Sequence, residues 1–143
     1  MTSYDTVFKR FAQKITDYKI LELSDDDVIH MMTAWLASAV AKFRRCENDL
    51  SQRDDEIQTF TIDLNENEVE ILSLLMVSEW LEPQLNSELY TSQFFGGKEE
   101  KFFAQANQLD KLITLKHNND VRAQKLVRDY GYQKKIWTNR ESS

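Results

Sequence analysis

Ser24-Asp25-Asp26-Asp27 sets three carboxylates in a row, the residue type that holds a divalent cation. Consecutive helical residues point about 100° apart, so three adjacent acids do not converge on one ion. The quartet reads better as a helix start. Ser24 caps, Asp27 reaches back to its amide, and the acids face the positive end of the helix dipole. The two histidines offer little more. His30 has Ala34 at i+4 and so no partner there. His117 and Asp120 sit at i and i+3, which suits a metal or an acid–base pair, but no third group accompanies them and they read as a surface pair. Cys46 follows Lys42, Arg44 and Arg45, a basic neighbourhood that would lower a thiol pKa. A lone cysteine at a helix end is usually inert all the same, and one cysteine cannot form an internal disulfide. That fits a reducing compartment.

Gly96-Gly97 is the only double glycine and lies in FFGGKEEKFF. Cradling a phosphate would require a strand before it and a helix after it in the right places, and neither is evident. It reads as a hinge with Phe94, Phe95, Phe102 and Phe103 around it, an apolar contact patch if some of these rings stay exposed. No CxxC, HExxH or P-loop occurs, and no Ser/His/Asp or Cys/His arrangement can be built from these residues. The expectation is a protein that is not an enzyme and that uses no metal or cofactor.

The elements that would carry these residues are helical. Three glycines and one proline among 143 residues are too few for the tight turns of a sandwich or barrel. Val7, Phe8, Phe11 and Ile15 recur at helical spacing, with Thr2 or Ser3 as cap. Asp17 to Leu23 breaks the period and reads as a connector. A second helix runs from about Asp25 to Cys46, with an apolar stripe of Val28, Met31, Met32, Trp35, Leu36, Ala39, Val40 and Phe43. Ala34, Ala37, Ala39 and Ala41 make a small-residue surface where another helix could come close. Glu47 to Thr59 is a polar loop with acids at Glu47, Asp49, Asp54, Asp55 and Glu56. Phe60 to Leu64 then alternates as a strand would, needing a hairpin partner from that loop or a strand from another copy. An extended segment is the expectation.

The stretch Asn65 to Pro83 is the predicted core. Asn65 and Glu68 form a capping box. Val69, Ile71, Leu72, Leu74, Leu75, Met76, Val77, Trp80 and Leu81 leave the helix almost no polar side, which marks a buried helix. It is too short and too closely flanked by glutamates to span a bilayer. Pro83 stops or kinks it, or opens a further helix to about Gln93, the two acting as one bent rod. The last helix runs from about Ala104 to Tyr130, with Leu109, Leu112, Ile113, Leu115, Val121, Leu126, Val127 and Tyr130 on its apolar side and Gly131 ending it. The fold class is therefore all-α: a bundle of about four to five helices around a central buried helix, with an extended C-terminal tail. Residues 1–131 form the helical domain and 132–143 a C-terminal arm. Trp137 on that arm docks either on its own body or on a neighbouring chain.

Net charge is −6 and unevenly spread. The balance is −11 up to residue 100 and +5 from Lys101 on. A basic end on an acidic body suits contact with nucleic acid, or with the acidic body of another copy. An ordinary solvated helix carries such charge equally well. Lys134, Lys135 and Arg140 could touch phosphates without sequence preference. No basic recognition helix follows a short turn, so specific DNA reading is not expected. The first residues contain no long apolar run, so a cytoplasmic product without a signal peptide is the expectation.

The runs LELSDDDVIHMMTAWLASAVAKFRRC and DLSQRDDE, the central ILSLLMVSEWLEPQLNSELY, then FFGGKEEKFFAQANQLDKL and LVRDYGY resemble small helical neck proteins of tailed bacteriophages. These are the head–tail connector, or adaptor, proteins below the portal. The likeness covers about residues 4 to 132 and lies in pattern and word choice, with no diagnostic motif. It implies a structural virion protein located in the virion neck, and in the host cytoplasm during assembly. Such proteins form a homo-oligomeric ring, commonly of twelve copies, that docks on the portal protein. The next neck or tail protein binds below, and double-stranded DNA passes through the channel. Members often grip the portal with a C-terminal segment, here Tyr132, Lys134, Lys135, Ile136 and Trp137. Asp49, Asp54, Asp55 and Glu56 would face the channel or the next ring. The rival expectation is a small cytoplasmic helical regulator or assembly chaperone that binds a partner through the phenylalanine-rich loop.

Overall fold

The structure, a computed structural model, describes the backbone of residues 1–15, 25–95 and 99–141, and the side chains of 1–15, 26–86 and 110–131. In chain order the elements are β1 (Thr2–Ser3), α1 (Tyr4–Lys14), α2 (Asp25–Lys42), β2 (Arg53–Asp54), β3 (Thr59–Phe60), α3 (Glu66–Phe95) and α4 (Glu99–Glu141). The fold is an all-α bundle in which α1, α2 and α4 all pack on α3. As its sequence requires, α3 is enclosed: Val69, Ile71, Leu72, Leu74, Met76, Val77, Trp80 and Leu81 are buried. Among the described residues no helix is long and apolar enough to cross a membrane.

Ser3 caps α1, its hydroxyl accepting from the Asp5 amide at 3.2 Å. Tyr4, Val7, Phe8 and Phe11 form the buried face. Acids along α3, exposed at Glu66 and largely covered at Glu70 and Glu79, collect cations from its neighbours. Arg10 bonds Glu66 at 2.5 Å, Lys14 bonds Glu70 at 2.6 Å, and Lys42 pairs with Glu79. On α2 the core face is Leu36, Ala39 and Phe43, flanked by half-buried Met32, Trp35 and Val40. Met31 departs from expectation and is exposed. It lies about a quarter-turn off the centre of that stripe, toward solvent.

α2 ends at Lys42, one turn earlier than its period suggests. The chain leaves the helix there so that Cys46, Glu47 and Asn48 can reach polar partners on α3 and α4. The acidic loop then folds as a hairpin. β3 pairs antiparallel with β2 on one side and with β1 on the other, with Phe60 opposite Arg53 and Thr2. Phe60 thus finds its strand partners within its own chain. Gln58 adopts φ 53°, the left-handed conformation that closes a tight turn.

Pro83 neither ends α3 nor opens a new helix, for α3 runs unbroken to Phe95. Pro83 is exposed, so its ring meets no packed neighbour. α4 starts earlier than predicted, at Glu99, and ends later. Gly131 does not terminate it, has no positive φ, and is followed by helix to Glu141. A glycine tolerates the helical conformation at a cost of about 1 kcal/mol. A Cβ there would lie 4.0 Å from a guanidinium nitrogen of Arg45, an ordinary contact.

α4 is also phased differently from expectation. Ile113, Leu115 and Val121 are 46%, 48% and 51% exposed. The face against α3 carries Leu112, Lys116, Asn119, Asp120, Ala123, Leu126, Val127 and Tyr130, which follows helical spacing. Polar members of that face make ties across the interface. Asn119 donates to the Leu74 carbonyl at 2.8 Å, and the Ser78 hydroxyl donates to Asp120 at 2.7 Å. Apolar residues alone therefore misplace the seam.

Candidate functional site

Glu68 is fully buried, at 0% exposure, beneath the start of α3. Its Oε1 accepts from the Asn65 amide at 2.9 Å, and Asn65 Oδ1 returns the bond from the Glu68 amide at 2.8 Å. That is the expected capping box. The rest of the cluster comes from distant chain. Asn48 Nδ2 donates to Oε1 at 2.8 Å, while Cys46 Sγ and Tyr130 Oη each donate to Oε2 at 3.0 Å. Tyr130 Oη in turn accepts from the Glu47 amide at 2.8 Å. Both Glu68 carboxylate oxygens are engaged, and the cluster joins the segment just after α2 to α3 and α4. It offers no open position for a substrate. Burial, together with the bond to Glu68, pushes the Cys46 thiol up to about 12, opposite to the lowering that its basic sequence neighbours suggest. Tyr130 is shifted upward as well, mainly by burial.

The predicted His117–Asp120 pair does not form. Asp120 is engaged by Ser78 and by Lys116 at 2.8 Å, and that bond raises the lysine pKa. His30 and His117 are exposed on different helices. Asp26 and Asp27 are exposed on the first turn of α2, and the Ser24 cap lies outside the described residues. Among the described residues no group of three His, Cys, Asp or Glu is arranged to hold a metal ion.

The acidic candidates separate into two places. Asp49 stands at the root of the hairpin, where the Ser51 hydroxyl and amide hold its carboxyl below the usual range. Asp54, Asp55 and Glu56 gather at the tip. Asp54 accepts from the Glu56 amide at 2.9 Å, and Asp55 accepts from Tyr4 Oη at 2.5 Å. Burial and this bond shift the Tyr4 phenol upward. The tip is pinned twice more, by the Tyr4 amide on the Gln58 carbonyl at 2.9 Å and by Gln58 Nε2 on Thr33 Oγ1 at 2.8 Å. Yet Ile57, in the middle of the tip, is 62% exposed. It is the single apolar residue in QRDDEIQT, a signal that sequence reading passed over.

A groove of about 580 Å³ opens between the C-terminal end of α2 and the middle of α4. Leu75 and Ser78 of α3 line it, with Val121 and Arg128 from α4 and Lys42 and Arg45 from the α2 side. Lys42 and Lys116 are paired with Glu79 and Asp120. Arg45 and Arg128 are exposed and have no acidic partner among the described residues. Two exposed guanidinium groups, without an acidic partner among the described residues and beside apolar Leu75 and Val121, suit a carboxylate-bearing protein segment better than a small polar substrate. The side chains of Phe94, Phe95, Phe102 and Phe103, and of Tyr132, Lys134, Lys135, Ile136 and Trp137, lie outside the described residues, as do Gly96 and Gly97. Compared with protein-family models, curated proteins and solved structures, the chain has no match.

Proposed function

We propose that this chain is a structural subunit of a tailed-phage neck, a head–tail connector whose copies form a ring on the portal. It would join capsid to tail, with the next neck or tail protein below and double-stranded DNA passing through. It would act without catalysis, metal or cofactor, in the virion neck and, during assembly, in the host cytoplasm. The observation that carries the reading is the set of large apolar side chains that α4 leaves uncovered. Ile113, Leu115 and Val121 stand about half exposed, spread around the helix outside its contact with α3. Large apolar side chains left at a surface call for protein partners. The resemblance of the sequence to phage neck proteins supports the same reading. On it, the segment Tyr132 to Trp137 would grip the portal.

The test is co-sedimentation of the purified chain with portal rings, beside a chain truncated after Gly131. The truncation removes the last ten helical residues of α4, which continue past the register where Tyr130 meets Glu68 near the start of α3. The expected result is an unchanged urea midpoint and lost portal binding. A full-length chain that never joins portal would instead favour a partner-binding regulator or assembly chaperone. Portal, capsid and tail genes beside this one would support the connector reading.

A further inference from the structure

We infer that the hairpin tip of one copy docks into the α2–α4 groove of the next, so that copies associate head to tail. This rests on the ring reading above. The tip presents exposed Ile57 next to Asp54, Asp55 and Glu56. The groove presents apolar Leu75 and Val121 next to Arg45 and Arg128, cations unpaired among the described residues. An apolar knob beside acids thus meets a groove with Leu75 inside, Val121 on its rim and bases at its edge, and the occupant is a second copy of this chain.

The contact cannot be made within one chain. The tip is tied to Thr33, and the groove begins at Lys42, nine residues further along the same helix. That separation is about 13 Å along the axis. The ties from Tyr4 and Thr33 hold the tip where it is. Knob and groove are different patches, so the contact is heterologous. Such contacts close into rings or run on as filaments, whereas a self-complementary patch stops at a dimer. The tip is already tied to Tyr4 and Thr33 before docking, which reduces the ordering entropy that opposes association.

The experiment is sedimentation analysis of the full chain, alone and over a range of concentrations. Four samples are compared: the natural chain, Ile57→Asp, the double variant Arg45→Glu with Arg128→Glu, and a one-to-one mixture of the two variants. All the altered side chains are exposed, so helix content and urea midpoint report that each variant is folded. The natural chain is expected to form species larger than a pair. Each variant alone should associate at least about tenfold more weakly, as loss of a central anchor does. In the mixture, the intact tip of the arginine variant meets the intact groove of the Ile57 variant, and the product stops at one-to-one pairs. The inference is overturned if either variant assembles like the natural chain, if the mixture yields no pairs, or if the natural chain stays single. Portal co-sedimentation is read separately, so a connector that docks on portal through other contacts leaves the ring reading standing while this contact fails.

Discussion

Replacing Glu68 by Gln changes one atom and tests whether the buried cluster needs a carboxylate. If the amide oxygen takes the place of Oε1, the bonds from the Asn65 amide and Asn48 survive. The new NH2 then faces three donors, the Cys46 thiol, the Tyr130 hydroxyl and the Asn48 amide, which also reaches this oxygen at 3.1 Å. Tyr130 Oη already accepts from the Glu47 amide, so its proton loses its acceptor. An orphaned buried donor costs about 1–3 kcal/mol. The two surviving bonds lose their charge assistance, about 1 kcal/mol each. Against this, a neutral amide avoids the desolvation of a buried charge, which is several kcal/mol for an ion without partners and less for one this well bonded. The net expectation is a loss of about 2 kcal/mol. In urea unfolding followed by tryptophan fluorescence, with a slope of about 2 kcal/mol per molar, that is a midpoint lower by about 1 M. Tyr130→Phe keeps the edge-on ring contact with Phe43 and removes the hydroxyl, for an expected loss of about 1–2 kcal/mol. The double variant should lose less than the sum by about 1 kcal/mol, because the orphaned proton of the first variant is no longer present. A Glu68→Gln chain as stable as the natural one, or strict additivity in the double variant, would refute the account of the cluster as a charge-assisted tie.

Cys46, at about 12, should react with thiol reagents at pH 8 roughly a thousandfold more slowly in the folded chain than in urea, a ratio set by thiolate fraction and read by timed labelling. Alkaline stability should depend on Cys46, Tyr4 and Tyr130 together. All three are raised on folding, so their contribution is complete below the unfolded values near 9 and 10 and is lost as pH climbs above them. Helix content followed from pH 8 to 12 should fall at the top of that range, and Tyr130→Phe should shift the fall relative to its own neutral stability. Pro83→Ala should raise stability by about 1–3 kcal/mol in urea, because it restores an amide donor inside a continuous exposed helix; a decrease would mean that a bend at Pro83 is needed for packing. Gln58→Gly should relieve about 1 kcal/mol of left-handed strain and lose a side-chain bond to Thr33 of similar size, leaving the urea midpoint nearly unchanged.

The sequence made α3 plain because a helix apolar on all sides has only one stable location, and the Asn65–Glu68 box marked its start. The inward face of α1 was legible for the same reason, from helical spacing of large residues. The phase of α4 was not, because its buried side includes Lys116, Asn119 and Asp120, whose partners on α3 and within α4 are polar. The hairpin was visible only as a strand-like alternation at Phe60. Its pairing with β1 joins residues more than fifty positions apart, which periodicity cannot register. Glu68 was recognised as a cap but not as a meeting point, since Cys46, Asn48 and Tyr130 are brought to it by folding. Gly131 looked like a stop and is only a bare position in a longer helix, because the residues on both sides of it are helical and outweigh the cost of one glycine.

The enclosure of α3 has a consequence for how the chain comes into being. α1 and α2 find their principal packing partner on α3, which lies after both in the chain. During synthesis at about 5–20 residues per second, the first 65 residues spend seconds outside the ribosome with Phe8, Phe11, Leu36 and Phe43 unburied. The first half cannot fold ahead of the second. Until α3 and α4 emerge, the nascent chain is exposed to chaperones and to premature contact with its own kind.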